Sequence, residues 1–135
     1  MSCVFCAIAR GETPAYFVLE DEHLVAFLDT KPLFHGHVLV VPRAHVVTLP
    51  ELPVELLAPL FARVRDLARA VPAAMHAQGS FVAMNNVVSQ SVPHLHVHVV
   101  PRTKGDGLKG FFWPRTKYAT PEDADRVAAA IRGAL

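Results

Sequence analysis

The segment "GHVLVVPR" (36–43) constrains this chain more than any other, because it is apolar at nearly every position and ends at Pro42. A strand with one wet face alternates polar and apolar side chains, so an unbroken apolar run predicts a central strand covered on both faces. The rest of the chain must supply its neighbours and its covering layers. Two runs rich in β-formers precede it, "AYFVLE" (15–20) and "LVAFLD" (24–29), and the turn-like "DEH" between them makes them a hairpin. Two more runs follow, "SFVAMNN" (80–86) and "PHLHVHVV" (93–100), joined by a short polar stretch. From about Pro53 to Ala70, the residues Leu56, Leu57, Leu60, Phe61, Val64, Leu67 and Val71 recur at three- and four-residue steps, the mark of one long amphipathic helix. "CVFCAIARGE" reads as a turn or two of helix stopping at Gly11, and Thr120, Pro121 and Asp123 give the start signal of a C-terminal helix. The expected fold is α+β: a five-stranded, mostly antiparallel sheet with one long helix and a C-terminal helix, in a single domain over 1–135.

Composition narrows the partners. With 135 residues, 52% of them hydrophobic, the chain can bury one full core. Its formal net charge of +1, with both signs scattered, gives no footprint for nucleic acid or an anionic membrane, so an anionic partner should be small. No apolar run approaches the roughly 18 residues of a membrane span, and the N-terminus lacks the pattern of a secretory signal, so the expected location is cytoplasmic. Cys3 and Cys6 are the only cysteines, and their C-x-x-C spacing fits a metal or redox pair better than a secreted disulfide framework.

The stretch "SVPHLHVHVV" (91–100) carries the chemistry. On a strand, His94, His96 and His98 share one face and Leu95, Val97 and Val99 the other. Each buried ring needs a partner for both nitrogens, which makes three in register hard to explain as plain core. Two readings remain open: a metal site, or a nucleophilic or basic imidazole whose neighbours fix its tautomer and bind an anion. Asn85, Asn86, Ser89, Gln90 and Ser91 just upstream offer amide and hydroxyl donors and no carboxylate, which favours phosphate oxygens.

The run "QSVPHLHVHVVPR" resembles the signature of the histidine triad (HIT) family. The likeness extends to "CVFCAIARGETPAYFVLEDEHLVAFLD", "GHVLVVPRAH" and "GDGLKGFFWP", which are similar to the Hint-like bacterial branch. The resemblance implies a homodimeric HIT-like fold acting on a purine nucleotide or nucleotide conjugate. The reaction implied is cleavage at the α-phosphate of nucleoside phosphoramidates or related compounds, through a nucleotidyl-histidine on His96. It also implies that His98 holds the phosphate oxygens, that His94 supports the row and that Ser91 donates to phosphate or leaving group. Asp29 would grip the ribose hydroxyls, Asn85 would reach the phosphate, and Val4, Phe5, Ile8 and Phe27 would flank the base. On the same grounds Cys3, Cys6, His45 and His94 would hold a structural zinc, with no organic cofactor. A dinucleoside polyphosphate hydrolase and a nucleotide-binding regulator with little turnover are the alternatives.

One departure stands out: "NNVVSQS" is about two residues shorter than its counterparts and lacks their glycine. Bland roles are expected elsewhere. His23 and His76 should be exposed, His35 and His37 should serve the turn around Gly36, and Lys104, Lys109, Arg115 and Lys117 should form a solvated loop.

Overall fold

The computed structural model describes residues 2–109 and 114–135; part of the "GDGLKGFFWP" segment therefore lies outside the described residues. Five strands form one sheet: β1 (Phe17–Glu20), β2 (Leu24–Leu28), β3 (Val38–Pro42), β4 (Gly79–Ala83) and β5 (Val97–Arg102). Their order is β1-β2-β3-β5-β4, and every neighbouring pair is antiparallel. β3 is the central strand and all five of its residues are buried, as the apolar run requires.

Alternation along the central strands sorts the core into two layers. Leu24, Ala26, Val38, Val40, Val97 and Val99 face α2 (Val54–Met75), which covers them with Leu60, Val64, Leu67 and Val71. Val25, Phe27, Leu39 and Val41 point the other way and meet Phe5, Ile8 and Ala9 of the short helix α1 (Val4–Ala9). Arg43 ties α1 down, donating to the carbonyls of Ala9 at 2.7 Å and Asp21 at 2.8 Å. α1 is thereby fixed over the sheet face on which His98 lies.

Three boundaries differ from the sequence expectation by three residues or more. β5 begins at Val97 rather than Pro93, because residues 91–96 bend: the amide of His94 donates to Val92 O at 2.8 Å, and that of Leu95 to Val46 O at 2.7 Å. The fourth strand ends at Ala83, so both Asn85 and Asn86 lie beyond it. α2 continues past Ala70 to Met75, through a buried Pro72, and closes with His76 in the left-handed conformation at φ 54° and Ala77 N–H on Pro72 O. An internal proline costs a hydrogen bond, but here its ring also fills the core. Leu57 and Phe61, expected on the buried stripe, stand on its exposed edge.

The C-terminal helix α3 (Pro121–Ala134) starts as expected, with Thr120 Oγ1 accepting from Asp123 N–H at 3.1 Å. None of its residues is buried, and Val127 and Ile131 are exposed. No helix among the described residues is long and apolar enough to cross a membrane.

Candidate active site and metal centre

The bend before β5 distributes the three histidines over different surroundings. His94 is fully buried, His96 nearly so, and His98, within β5, is half-buried. They still form a connected row with Phe5 packed edge-on against it, at ring-centroid distances of 6.0 Å to His94 and 5.1 Å to His96. His96 and His98 are 5.1 Å apart.

Each ring is held by one nitrogen, and that bond decides what the other can do. His94 Nε2 donates to Pro42 O at 2.8 Å, which leaves Nδ1 unprotonated. His96 Nδ1 donates to His94 O at 2.7 Å, which leaves Nε2 as a free lone pair. His98 Nδ1 sits 2.9 Å from Nε2 of His37, whose own Nδ1 accepts Leu33 N–H at 3.0 Å. His37 must then carry its proton on Nε2 and donate it to His98 Nδ1, so that His98 presents Nε2–H. Burial pushes the pKa of His94 and His37 down, and burial followed by the neighbouring His96 and His37 lowers that of His98 to about 4. His37, His94 and His98 are thus held neutral at neutral pH, and His98 points a donor into the site beside Nε2 of His96.

His37 was expected to serve a turn. Gly36 does make one, at φ +95°, but His37 itself is buried at the base of the site, 3.7 Å from Asp29 Oδ2. Pairing of Leu39 with His98 across β3 and β5 brings it there, a long-range relation that leaves no local mark in the sequence.

A cavity of about 460 Å³ opens over His96 and His98. Phe5, Ile8, Phe27 and Leu39 supply apolar wall, and Asp29, Lys31 and Ser91 supply polar groups at its rim. Asp29 Oδ1 accepts Lys31 N–H at 2.8 Å, the strand-end turn such a residue often makes, and the same carboxylate lines the cavity. Asn85 is not brought into it. Its amide donates to Ser89 O at 3.2 Å, while Asn86 Oδ1 accepts Leu49 N–H at 2.8 Å. Without glycine, the loop still places Val87 and Ser89 in the left-handed region, at φ 71° and 62°. For a β-branched valine this is a strained conformation.

On the other side of His94, the sulfurs of Cys3 and Cys6 meet His45 and His94. Cys3 caps α1 and Cys6 is three residues on, a helical spacing that turns both sulfurs to one side. His94 Nδ1 lies 3.4 Å from Cys3 Sγ, 3.5 Å from Cys6 Sγ and 3.2 Å from His45 Nδ1, and Cys6 Sγ is 3.3 Å from His45 Nδ1. A tetrahedral ion with bonds of about 2.3 Å to sulfur and about 2.0–2.1 Å to nitrogen needs S···N near 3.5 Å and N···N near 3.3 Å. The observed separations fit within about 0.2 Å. Burial and the adjacent Cys3 sulfur push the Cys6 thiol pKa up.

Asp29, His37 and His98 also cluster closely enough to hold an ion. Their hydrogen bonds argue otherwise, since the Leu33 amide claims the lone pair of His37 Nδ1 and thus keeps a proton on Nε2.

Comparison with known proteins shows the family to which the chain and its fold are similar. A profile described as HIT domain matches residues 10–105. The crystal structure of a HIT family member from Bacillus subtilis, 34% identical, superposes with a TM-score of 0.88 over 100% of this chain and 98% of that one. A Zn-bound histidine triad family protein from Mycobacterium smegmatis, 39% identical, gives 0.76 over 100% and 99%. The adenosine 5'-monophosphoramidase hnt1 of Schizosaccharomyces pombe is 33% identical over 116 residues, 84% of each protein.

Proposed function

This chain belongs to the HIT family, and from that premise we propose that it hydrolyses nucleoside phosphoramidates or related purine nucleotide conjugates at the α-phosphate. The observation that carries the proposal is the fixed tautomer of His96: its Nδ1 is held by the His94 carbonyl, and its free Nε2 borders a cavity that also holds Asp29 and an apolar slot.

In this reading the base lies between Phe5, Ile8 and Phe27, and Asp29 accepts the ribose hydroxyls through its carboxylate. His96 Nε2 attacks phosphorus, and the bond to the leaving nitrogen breaks as that nitrogen takes a proton from solvent. His98 Nε2–H and Ser91 Oγ–H donate to the phosphoryl oxygens, where charge-assisted bonds contribute roughly 1.5–3 kcal/mol each. Water then displaces His96 and releases the nucleoside monophosphate and a proton. Asn85 reaches the phosphate only if the loop at 85–90 shifts toward the cavity. Cys3, Cys6, His45 and His94 hold a structural zinc, which when bound cross-links α1, the turn after β3 and the bend before β5. The same reading makes the protein a cytoplasmic homodimer with a small nucleotide ligand.

Turnover of adenosine 5'-phosphoramidate and of a diadenosine polyphosphate, measured side by side in excess chelator, tests the proposal. We expect phosphoramidate turnover that chelator does not alter and that falls by about 10³-fold or more in His96→Asn, with adenosine monophosphate still bound. Chelator-sensitive turnover that survives His96→Asn would overturn it. Activity on the dinucleotide alone would identify a dinucleoside polyphosphate hydrolase, and binding without turnover a regulator.

A further inference from the structure

The cluster of Cys3, Cys6, His45 and His94 is sealed on one side only. His94 is fully buried, whereas Cys3 and Cys6 are half-buried and His45 is exposed. A cavity of about 670 Å³ reaches the cluster from outside, past Ala7, Val47 and Pro93, and ends on Cys3 and His45. Among the described residues Cys3 is the one sulfur on its wall; Cys6 lies off it, 3.3 Å from His45 Nδ1. No lysine, arginine, aspartate or glutamate is among the described residues that line it. A small uncharged molecule can enter without the loss of hydration that an ion would suffer there.

What such a molecule meets is a nucleophile. Sulfurs that hold a metal ion are deprotonated, and the thiolate is the reactive form of cysteine. The second sulfur is close by: the ligand atoms of the cluster all lie within 4.8 Å of one another. A disulfide needs its sulfurs about 2.05 Å apart, so they have to close by no more than about 3 Å. Cys3 stands at the N-cap of α1 in extended conformation, at φ −118° and ψ 123°, where its side chain can swing without disturbing the helical turn.

We propose that Cys3 and Cys6 are an oxidant-reactive pair: an uncharged hydroperoxide entering the cavity converts them to a disulfide, and the zinc is released. This rests on the zinc assignment and not on the hydrolase reading. Cys3 Sγ attacks the terminal peroxide oxygen, the O–O bond breaks, and the sulfur becomes a sulfenic acid while the leaving oxygen takes a proton from solvent. Cys6 Sγ then attacks the Cys3 sulfur and displaces hydroxide, which takes a second proton and leaves as water. Two electrons pass from the two sulfurs to one peroxide, and the metal loses two of its four ligands.

The exchange trades a long-range link for a short one. Zinc ties α1 to residues 39 and 91 positions away along the chain. A disulfide between Cys3 and Cys6 closes a ring over two intervening residues, which constrains the unfolded chain little. The oxidised protein then keeps α1 through Phe5, Ile8 and Ala9 in the core and the bond from Arg43 to Ala9 O.

The test treats the zinc-loaded full chain with hydrogen peroxide and follows metal release with a colorimetric chelating dye, the 1–10 peptide by mass after alkylation, and Tm. We expect a peptide lacking two hydrogen atoms, one zinc released per disulfide, and a Tm lower by about 10 °C, all reversed by dithiothreitol and zinc. In Cys6→Ser the intermediate cannot resolve, and dimedone should label Cys3. Val47→Phe narrows the cavity and belongs to neither the metal cluster nor the nucleotide cavity; it should slow disulfide formation by cumene hydroperoxide about 10-fold. Peroxide treatment that leaves both thiols free, oxidises them without a disulfide, or forms the disulfide with zinc retained would overturn the pair. Equal rates in Val47→Phe and wild type would overturn the cavity as its route. Protein that purifies without zinc would remove the premise, while turnover of adenosine 5'-phosphoramidate, measured beside it, reports on the hydrolase reading alone.

Discussion

Two clusters of histidines with acidic or thiol partners share one face of the sheet, a few ångströms apart, and they differ in which ring nitrogen the protein backbone engages. In the cluster of Cys3, Cys6, His45 and His94, a backbone carbonyl takes the proton of His94 Nε2 and turns a lone pair toward two sulfurs. In the cluster of Asp29, His37 and His98, a backbone amide takes the lone pair of His37 Nδ1 and turns a proton toward His98. An acceptor behind one ring leaves a lone pair suited to a metal ion, and a donor behind the other makes it the end of a hydrogen-bond relay. The side chains are much the same; the main chain behind them decides the chemistry. His94 and His96 join the two regions, because the ring of His94 belongs to the first cluster while its carbonyl accepts from Nδ1 of His96, whose ring lies 5.1 Å from that of His98 in the second.

The largest effect that would sharpen this contrast comes from the sulfurs. The double variant Cys3→Ser/Cys6→Ser should purify without zinc and melt about 10 °C or more below the wild type, because a closed tetrahedral centre contributes directly to folding. Metal analysis and calorimetry check this, and full zinc occupancy in the variant would break the distinction. A smaller effect is expected from His37→Asn. It should keep its zinc and bind adenosine monophosphate normally while kcat for phosphoramidate falls about 10–100-fold, the usual cost of losing a residue that orients a functional imidazole. Loss of zinc in that variant would mean that the two clusters are one.

The smallest effect is in stability against pH. His98 titrates near 4 in the folded protein and near 6.5 when unfolded, so below 6.5 the unfolded chain binds the proton more tightly. The stabilisation is complete above pH 6.5 and is lost progressively as pH falls toward 4. His37, also lowered by burial, acts with the same sign. Tm should therefore drop by several degrees between pH 7 and pH 5, and His98→Asn should reduce that drop. An identical pH slope in the variant would show that His98 is not held neutral by its surroundings.

Much of this was legible in the residues. The unbroken apolar run of β3 demanded two covering layers, and the alternation of β2 and β5 sorted side chains between them. The C-x-x-C spacing on a short helix anticipated that the two sulfurs share one side, and the resemblance supplied His45 and His94, which the structure brings beside them. The bend at 91–96 was not legible, because alternation in "PHLHVHVV" reads the same whether the first half lies in the ladder or crosses to Val46. His37 was missed for a related reason: its partner is sixty-one residues away, and only strand pairing reveals the contact. α2 runs on past Ala70 through Pro72 because that ring is buried in the core, a tertiary fact that the apolar period alone does not carry.

α3 has a consequence for the timescale on which parts of this chain exchange hydrogen with solvent. A fourteen-residue helix with no buried residue draws its order from its cap and its own backbone, and such helices are marginal when isolated. In the single chain its amides should exchange almost as fast as those of a free peptide, while those of β3 and β5 wait for the whole sheet to open. Slow exchange along Val127 and Ile131 in solution would thus be a direct signal that a second surface has closed over this helix.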